Sequence, residues 1–148
     1  MKINLIDSKK IPPLFRESWN RLNCIFMERV KKVGLTPDQF SALRWTFSKP
    51  RNSLTQSDLS ALMSTDRNNI SSLVKRMEVM GLIERKILSE DQRRKIINLT
   101  PKGKIMFKKG KAIANQLENE VLSSLDANEK KRLFEALKKL ASNLGEKN

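Results

Sequence analysis

The run Thr65-Asp66-Arg67-Asn68-Asn69, followed by Ser71, Ser72, Lys75 and Arg76, collects side chains able to read or grip a polyanion. Arginine pairs bidentately with guanine and asparagine with adenine, while serine, threonine and lysine suit phosphates. A second cluster, Asp91, Arg93, Arg94 and Lys95, would form a basic loop. Such a loop can enter a minor groove, where arginine senses width and potential. Asp91 beside two arginines either orients a guanidinium by bidentate pairing or is a solvated turn aspartate.

These groups need elements to hold them. Ile70, Leu73, Val74 and Met77 recur at helical spacing, which predicts a helix from about Asp66 to Met80 with the polar groups on its other face. Gly81 would stop it. Thr55-Gln56-Ser57-Asp58 opens a short preceding helix through a capping box, and Ser64-Thr65 is a polar break between the two. Leu82 to Leu88 and Lys95 to Thr100 alternate apolar and polar residues around the charged stretch from Ser89 to Arg94, as a hairpin would. Two helices across a tight break, then a hairpin, make a winged helix-turn-helix pattern. In that pattern the second helix offers its N-terminus to the major groove of DNA.

Flanking helices complete the chain. One runs from Ile11 to Val33, with Gly34 as its stop. A second starts at the box Thr36-Pro37-Asp38-Gln39, lines one face with Phe40, Leu43 and Phe47, and ends before Pro50. After Thr100-Pro101 a helix reaches about Leu125. Asp126-Ala127-Asn128-Glu129 then opens a last one, whose Leu133, Leu137, Leu140 and Leu144 form a 4-3-4 seam. That seam fits an internal core stripe as well as a subunit contact. Apolar stripes at both ends of the chain exceed what the middle can cover, which suggests association of subunits. The expected fold is mainly α with a small β-hairpin wing.

Composition prunes the chemistry. The 148 residues suit one domain or one intertwined subunit. They contain no His, no Tyr and a single Cys. His-dependent catalysis, zinc clusters and internal disulfides are therefore excluded, and neither cofactor nor metal is expected. Acidic pairs such as Glu90-Asp91 and Glu118/Glu120 have no nucleophile–base partner, so the chain does not read as an enzyme. With 30 Lys+Arg against 16 Asp+Glu the net charge is +14, spread along the whole sequence. Such a surface attracts nucleic acid. No apolar run approaches a membrane span and no secretory leader is evident, so the expectation is a cytoplasmic protein without a membrane partner.

At these residues the chain resembles the MarR family of bacterial transcriptional regulators. The segment from Asp66 to Glu78 resembles that family's recognition helix, and Gly81-Leu82-Ile83-Glu84-Arg85 the start of its wing. Asp91-Gln92-Arg93 and Ile97-Asn98-Leu99-Thr100-Pro101-Lys102-Gly103 match the wing signature in order and spacing. Leu35-Thr36-Pro37-Asp38-Gln39-Phe40 is similar to the opening of helix two. The resemblance covers roughly residues 10–145. It implies one MarR-like domain over 1–148, with a winged part at 35–103 and dimerisation helices at 1–34 and 104–148. It also implies a homodimer on a pseudo-palindrome in double-stranded DNA, usually a repressor, whose affinity falls when a small ligand or oxidant binds.

The remaining singular residues have plainer readings. Arg16, Trp19, Arg44 and Trp45 could meet a small aromatic or acidic ligand, but aromatics at helical spacing more often simply pack. Cys24, between Leu22 and Ile25, reads as a packed, inert thiol. Lys108-Lys109-Gly110-Lys111 reads as a solvated helix face. The main competing function is a basic architectural protein that binds DNA without specificity, which would not need Arg67, Asn68 and Asn69 at a helix start. A helical protein–protein adaptor would have no use for a basic-tipped wing.

Overall fold

Local capping decides where the helices begin. In the computed structural model, which describes residues 11–87 and 94–145, all three boxes expected from sequence form. Thr36 Oγ1 accepts from the Gln39 amide at 3.2 Å while Gln39 Oε1 accepts from the Thr36 amide at 3.0 Å. Thr55 and Asp58 make the same exchange at 3.0 Å in each direction, and Asp126 and Glu129 at 2.9 Å. Each box satisfies two amides that a helix start would otherwise leave orphaned.

The elements are α1 (Ile11–Lys31), α2 (Pro37–Ser48), α3 (Gln56–Leu62), α4 (Arg67–Val79), β1 (Ile83–Ile87), β2 (Lys95–Leu99), α5 (Pro101–Leu122) and α6 (Ala127–Asn143). Gly34 and Gly81 end α1 and α4 with φ of +83° and +74°, a left-handed backbone that glycine adopts without strain. The chain divides into two compact units, Met1–Ile113 and Ala114–Asn148, the boundary falling within α5.

In the first unit the core is built from α2, α3, α4 and the hairpin. Leu43, Leu59, Ile70, Val74, Met77, Leu82 and Ile97 are fully buried. A chain of rings adds α1 and the start of α5. Phe26 lies edge-on to Phe40 at 5.3 Å, Phe40 stacks on Phe107 at 5.9 Å, and Phe47 tilts against Phe107 at 4.5 Å. Phe47, on the same face of α2 as Phe40 and Leu43, stays exposed despite that contact.

The hairpin is antiparallel, in register from Ile83↔Leu99 to Ile87↔Lys95. The segment before α3 joins it: Thr55 bridges to Ile96 and the Ile97 amide donates to Leu54 O at 2.9 Å. Buried Asn98 fixes the α2–α3 turn to β2. Its Nδ2 donates to Asn52 Oδ1 at 2.8 Å, and its Oδ1 accepts from the Asn52 amide at 2.9 Å. Asn52 has φ +62°, a conformation asparagine tolerates better than most residues. Further on, Thr100 Oγ1 donates to Gly81 O at 2.6 Å and accepts from the Gly103 amide at 3.0 Å, so one hydroxyl caps α5 and holds the end of α4.

The apolar stripe of α1 is only partly covered. Phe26 and Leu22 are half-buried and Val30 fully buried, but Ile11, Phe15 and Trp19, toward the N-terminal end of the same stripe, are exposed. Two expectations are thereby corrected. Trp19 does not pack in the core of this chain but is 65% exposed. Cys24 is exposed rather than packed, because it lies round the helix from the Leu22–Phe26–Val30 line. Periodicity marks a stripe; it does not say how much of its length or flank is covered. In the second unit no residue of α6 is buried. Leu133, Phe134, Leu137 and Leu140 are exposed, and Leu144, which caps the end of α6, is 85% exposed. Among the described residues no helix is long and apolar enough to cross a membrane, and no group of potential ligands could hold a metal ion.

Candidate nucleic-acid interface

The turn between α3 and α4 is set by few contacts. Ser64 takes φ +52°, and the segment is clasped by Ser60, whose Oγ donates to Thr65 O at 2.7 Å and whose carbonyl accepts from the Thr65 amide at 3.1 Å. Asp66 then caps α4. Its Oδ1 accepts from the Asn69 amide at 2.8 Å, and its Oδ2 accepts from Asn69 Nδ2 at 2.9 Å. Thr65 thus lies in the turn, one residue ahead of the cap.

Helix α4 is sharply two-sided. Ile70, Leu73, Val74 and Met77 are buried, as expected. Arg67, Asn68, Asn69, Ser71, Ser72, Lys75 and Arg76 are all exposed. At ~100° per residue Asn68, Ser72 and Lys75 centre the exposed side, with Asn69 and Arg76 flanking it. Val79 continues that side at 83% exposure, a residue the sequence reading passed over.

An open groove of about 400 Å³ lies between the starts of α3 and α4 and the foot of β2. Gln56, Ser57 and Asp58 line one side; Arg67, Arg94 and Lys95 bring three cations to the other. The Asp58 carboxyl is held below its usual range by its hydrogen bonds to Thr55, with Arg94 and Lys49 adding to the effect. Its Oδ2 accepts from the Thr55 amide in the cap, and with one carboxylate against three cations the groove is electropositive. Gln56 Oε1 is buried there without a partner among the described residues. The sequence reading named Arg67, Arg94 and Lys95 but missed Gln56 and Ser57. Its signal was available, since the capping box places both in the first turn of a helix beside the recognition segment. Asp91 and Arg93 lie outside the described residues.

The angle between α4 and the wing is held by an ion pair. Arg85 Nε donates to Glu78 Oε2 at 2.7 Å and Nη2 to Oε1 at 3.2 Å. The pair holds the Glu78 carboxyl below its ordinary value and raises Arg85 above its own. Lys102 Nζ adds a bond to Met80 O at 2.8 Å, a cation at the carbonyl end of α4.

Of the four residues considered for a ligand, Arg44 and Trp45 are neighbours on α2, while Arg16 and Trp19 lie on α1. Arg44 lies 5.5 Å from the Trp45 ring, in cation–π range, with Trp45 half-buried on α2. Arg16 and Trp19 are exposed on α1, and none of the four lines the groove. Lys108, Lys109 and Lys111 are exposed, as a solvated face requires.

A helix-turn-helix whose second helix is clasped to a two-stranded wing defines a winged helix-turn-helix protein. The sequence profile of the MarR family matches residues 33–95. The HTH-type transcriptional regulator BilQ of Clostridium symbiosum is 32% identical over 127 residues, spanning 86% of this chain and 85% of that one. The transcriptional repressor MprA of Escherichia coli is 28% identical over 115 residues, 78% of this chain and 65% of MprA. The crystal structure of a Staphylococcus aureus MepR–DNA complex superposes with a TM-score of 0.84 at 24% identity, covering 90% of this chain and 98% of MepR. The chain belongs to the MarR family of winged-helix transcriptional regulators.

Proposed function

We propose that this regulator binds duplex DNA sequence-specifically, as a homodimer on a pseudo-palindromic operator, and represses transcription from it. The observation that carries the reading is the two-sidedness of α4. Its inner face is buried, while Arg67, Asn68, Asn69, Ser72, Lys75 and Arg76 are exposed together. Each of these can hydrogen-bond a base edge or phosphate, and the helix N-terminus itself favours an anion. Arg94, Lys95 and, by sequence, Arg93 extend the positive surface into the wing; Asp91 is read as the carboxylate that orients a guanidinium there. Thr65, Ser71 and the Asp66 cap complete the proposed contact segment. Repression is in keeping with the name of the MprA relative, and DNA binding with the fold shared with MepR.

The homodimer rests on exposed apolar surface at both ends of the chain. Ile11, Phe15 and Trp19 on α1, and Leu133, Phe134, Leu137, Leu140 and Leu144 near the C-terminus, are larger and more numerous than a solvated surface carries singly. Residues 35–103 are assigned to DNA, and 1–34 with 104–148 to the subunit contact. Two-fold symmetry then sets half-sites about one helical turn, ~10 bp, apart. An effector, a small aromatic or acidic molecule, is assigned to Arg44 and Trp45, with Arg16 and Trp19 as further contacts. The protein works in the cytoplasm.

Selection from a random duplex pool tests the proposal. Enrichment of an inverted repeat supports it. A pool retained by charge without any motif contradicts it and favours a non-specific architectural binder.

A further inference from the structure

We infer that Asn98 and Asn52 are positioning residues for the wing: their clasp sets where Arg94 and Lys95 stand against the start of α3, and through them how the wing grips the DNA backbone. The inference rests on the DNA reading proposed above and gives a role in it to two residues outside the proposed contact surface.

The ties on this face of the hairpin come as a matched pair. Glu84 and Asn98 stand opposite one another in the β1–β2 register. They hold Arg51 and Asn52, two consecutive residues of the turn between α2 and α3. The Arg51–Glu84 ion pair, 3.0 Å long, is exposed on both sides, and Glu84 also lies 3.9 Å from Lys86. A solvated pair of that kind fixes little. Asn98 is only 4% exposed. Its Nδ2 donates to Asn52 Oδ1 at 2.8 Å and its Oδ1 accepts from the Asn52 amide at 2.9 Å. Two bonds between the same two residues fix direction as well as distance, and a buried amide that loses them has no water to replace them.

The clasp is one end of a seam whose other end is the groove. Next along the seam the Ile97 amide donates to Leu54 O at 2.9 Å, and Thr55 bridges to Ile96. Beyond that point the two segments become the two walls. Lys95 and Arg94 stand on one side; Gln56, Ser57 and Asp58, the first turn of α3, stand on the other. Asn52 joins the seam with φ +62°, and its bonds to Asn98 offset the cost of that backbone. Without the clasp, β2 and the start of α3 are free to shift relative to one another, and Arg94 and Lys95 shift with them.

Two neutral substitutions test this. Asn98→Ala removes both bonds. Asn52→Gly keeps the left-handed backbone and its amide, and removes only the side-chain acceptor. Neither alters charge, so in a folded chain a smaller salt dependence means that cations have left the phosphates. The full chain and its variants, checked by thermal melts, are titrated by anisotropy onto a duplex selected by the wild type and onto a scrambled one, across a salt series. Asn98→Ala is expected to bind both duplexes about tenfold more weakly, the order of coupling within one hydrogen-bonded network. Its salt slope should fall by about 1, while its preference for the selected duplex stays within about twofold of the wild type's, as loss of backbone contacts requires. Asn52→Gly should show a smaller loss of the same kind, and it carries the test if Asn98→Ala does not fold. Combined with Arg94→Ala, either variant should lose less than the product of the two single losses, because both act on the same contacts. An unchanged salt slope, a collapsed preference, or losses that multiply in full would overturn the inference while leaving DNA reading intact. A wild type that selects no motif overturns DNA reading itself, and this inference with it.

Discussion

Glu78 and Arg85 meet through two hydrogen bonds, 2.7 and 3.2 Å long, across the junction where α4 ends and β1 begins. This pair joins the helix proposed to read bases to the strand that carries the wing. Planar, two-point pairing fixes direction as well as distance, so it limits how far the wing can swing relative to α4.

Its contribution should depend on pH in one direction. The Glu78 carboxyl is held below its usual value near 4.5, chiefly by Arg85. A carboxylate stabilised in the folded state contributes fully above the unfolded value and loses that contribution as pH falls through the lower folded one. Glu78→Gln should therefore cost about 0.5–1 kcal/mol at pH 7, a figure already reduced for solvent screening. The difference from wild type should shrink steadily below about pH 4.5. Urea unfolding of both proteins from pH 7 to 3 measures it; a gap that widens on acidification would contradict the role given to this pair.

Gly103 is required by space. A Cβ placed there would stand 2.0 Å from Leu82 O, a backbone atom that cannot swing aside. Gly103→Ala should destabilise by about 1–3 kcal/mol, despite alanine's better helix propensity. Denaturant midpoints check this, and an equal or higher midpoint would show that α5 does not start as close to β1 as described.

Charge and base contacts should separate experimentally. Arg94→Ala should weaken binding to cognate and random duplexes nearly alike and lower the salt slope by about 1. Asn68→Ala should cost about 1–3 kcal/mol on the selected site and much less on random DNA. Anisotropy titrations across a salt series distinguish them, and reversal of the two patterns would exchange the assigned roles.

The apolar surface near the C-terminus should be a subunit contact. Sedimentation should give twice the 17.1 kDa chain mass for the wild type. Leu137→Asp with Leu140→Asp should give single chains or loss of folding. A stable, DNA-competent dimer of the double variant would remove this seam from the interface.

Much of this was legible in the chain because it is local. Thr36 with Gln39, Thr55 with Asp58, and Asp126 with Glu129 are three residues apart, and a capping box needs nothing else. The buried face of α4 follows from spacing alone. Residues joined across the sequence were not legible: Asn52 and Asn98 are 46 positions apart, and nothing in either neighbourhood announces the other. Trp19 and Cys24 failed for a different reason. Their burial depends on what covers α1, which its own periodicity does not encode. The clasp of Asp66 on Asn69 is local, yet the sequence treated both as free readers, because a cap and a contact use the same residue types.

The most direct measurement is the ratio of affinities for a selected duplex and a scrambled one of equal length at physiological salt. A specific reader should prefer the selected duplex by ~10³ or more. A ratio near one, with the same steep salt dependence for both, would mean that the +14 charge alone drives binding and that α4 reads nothing.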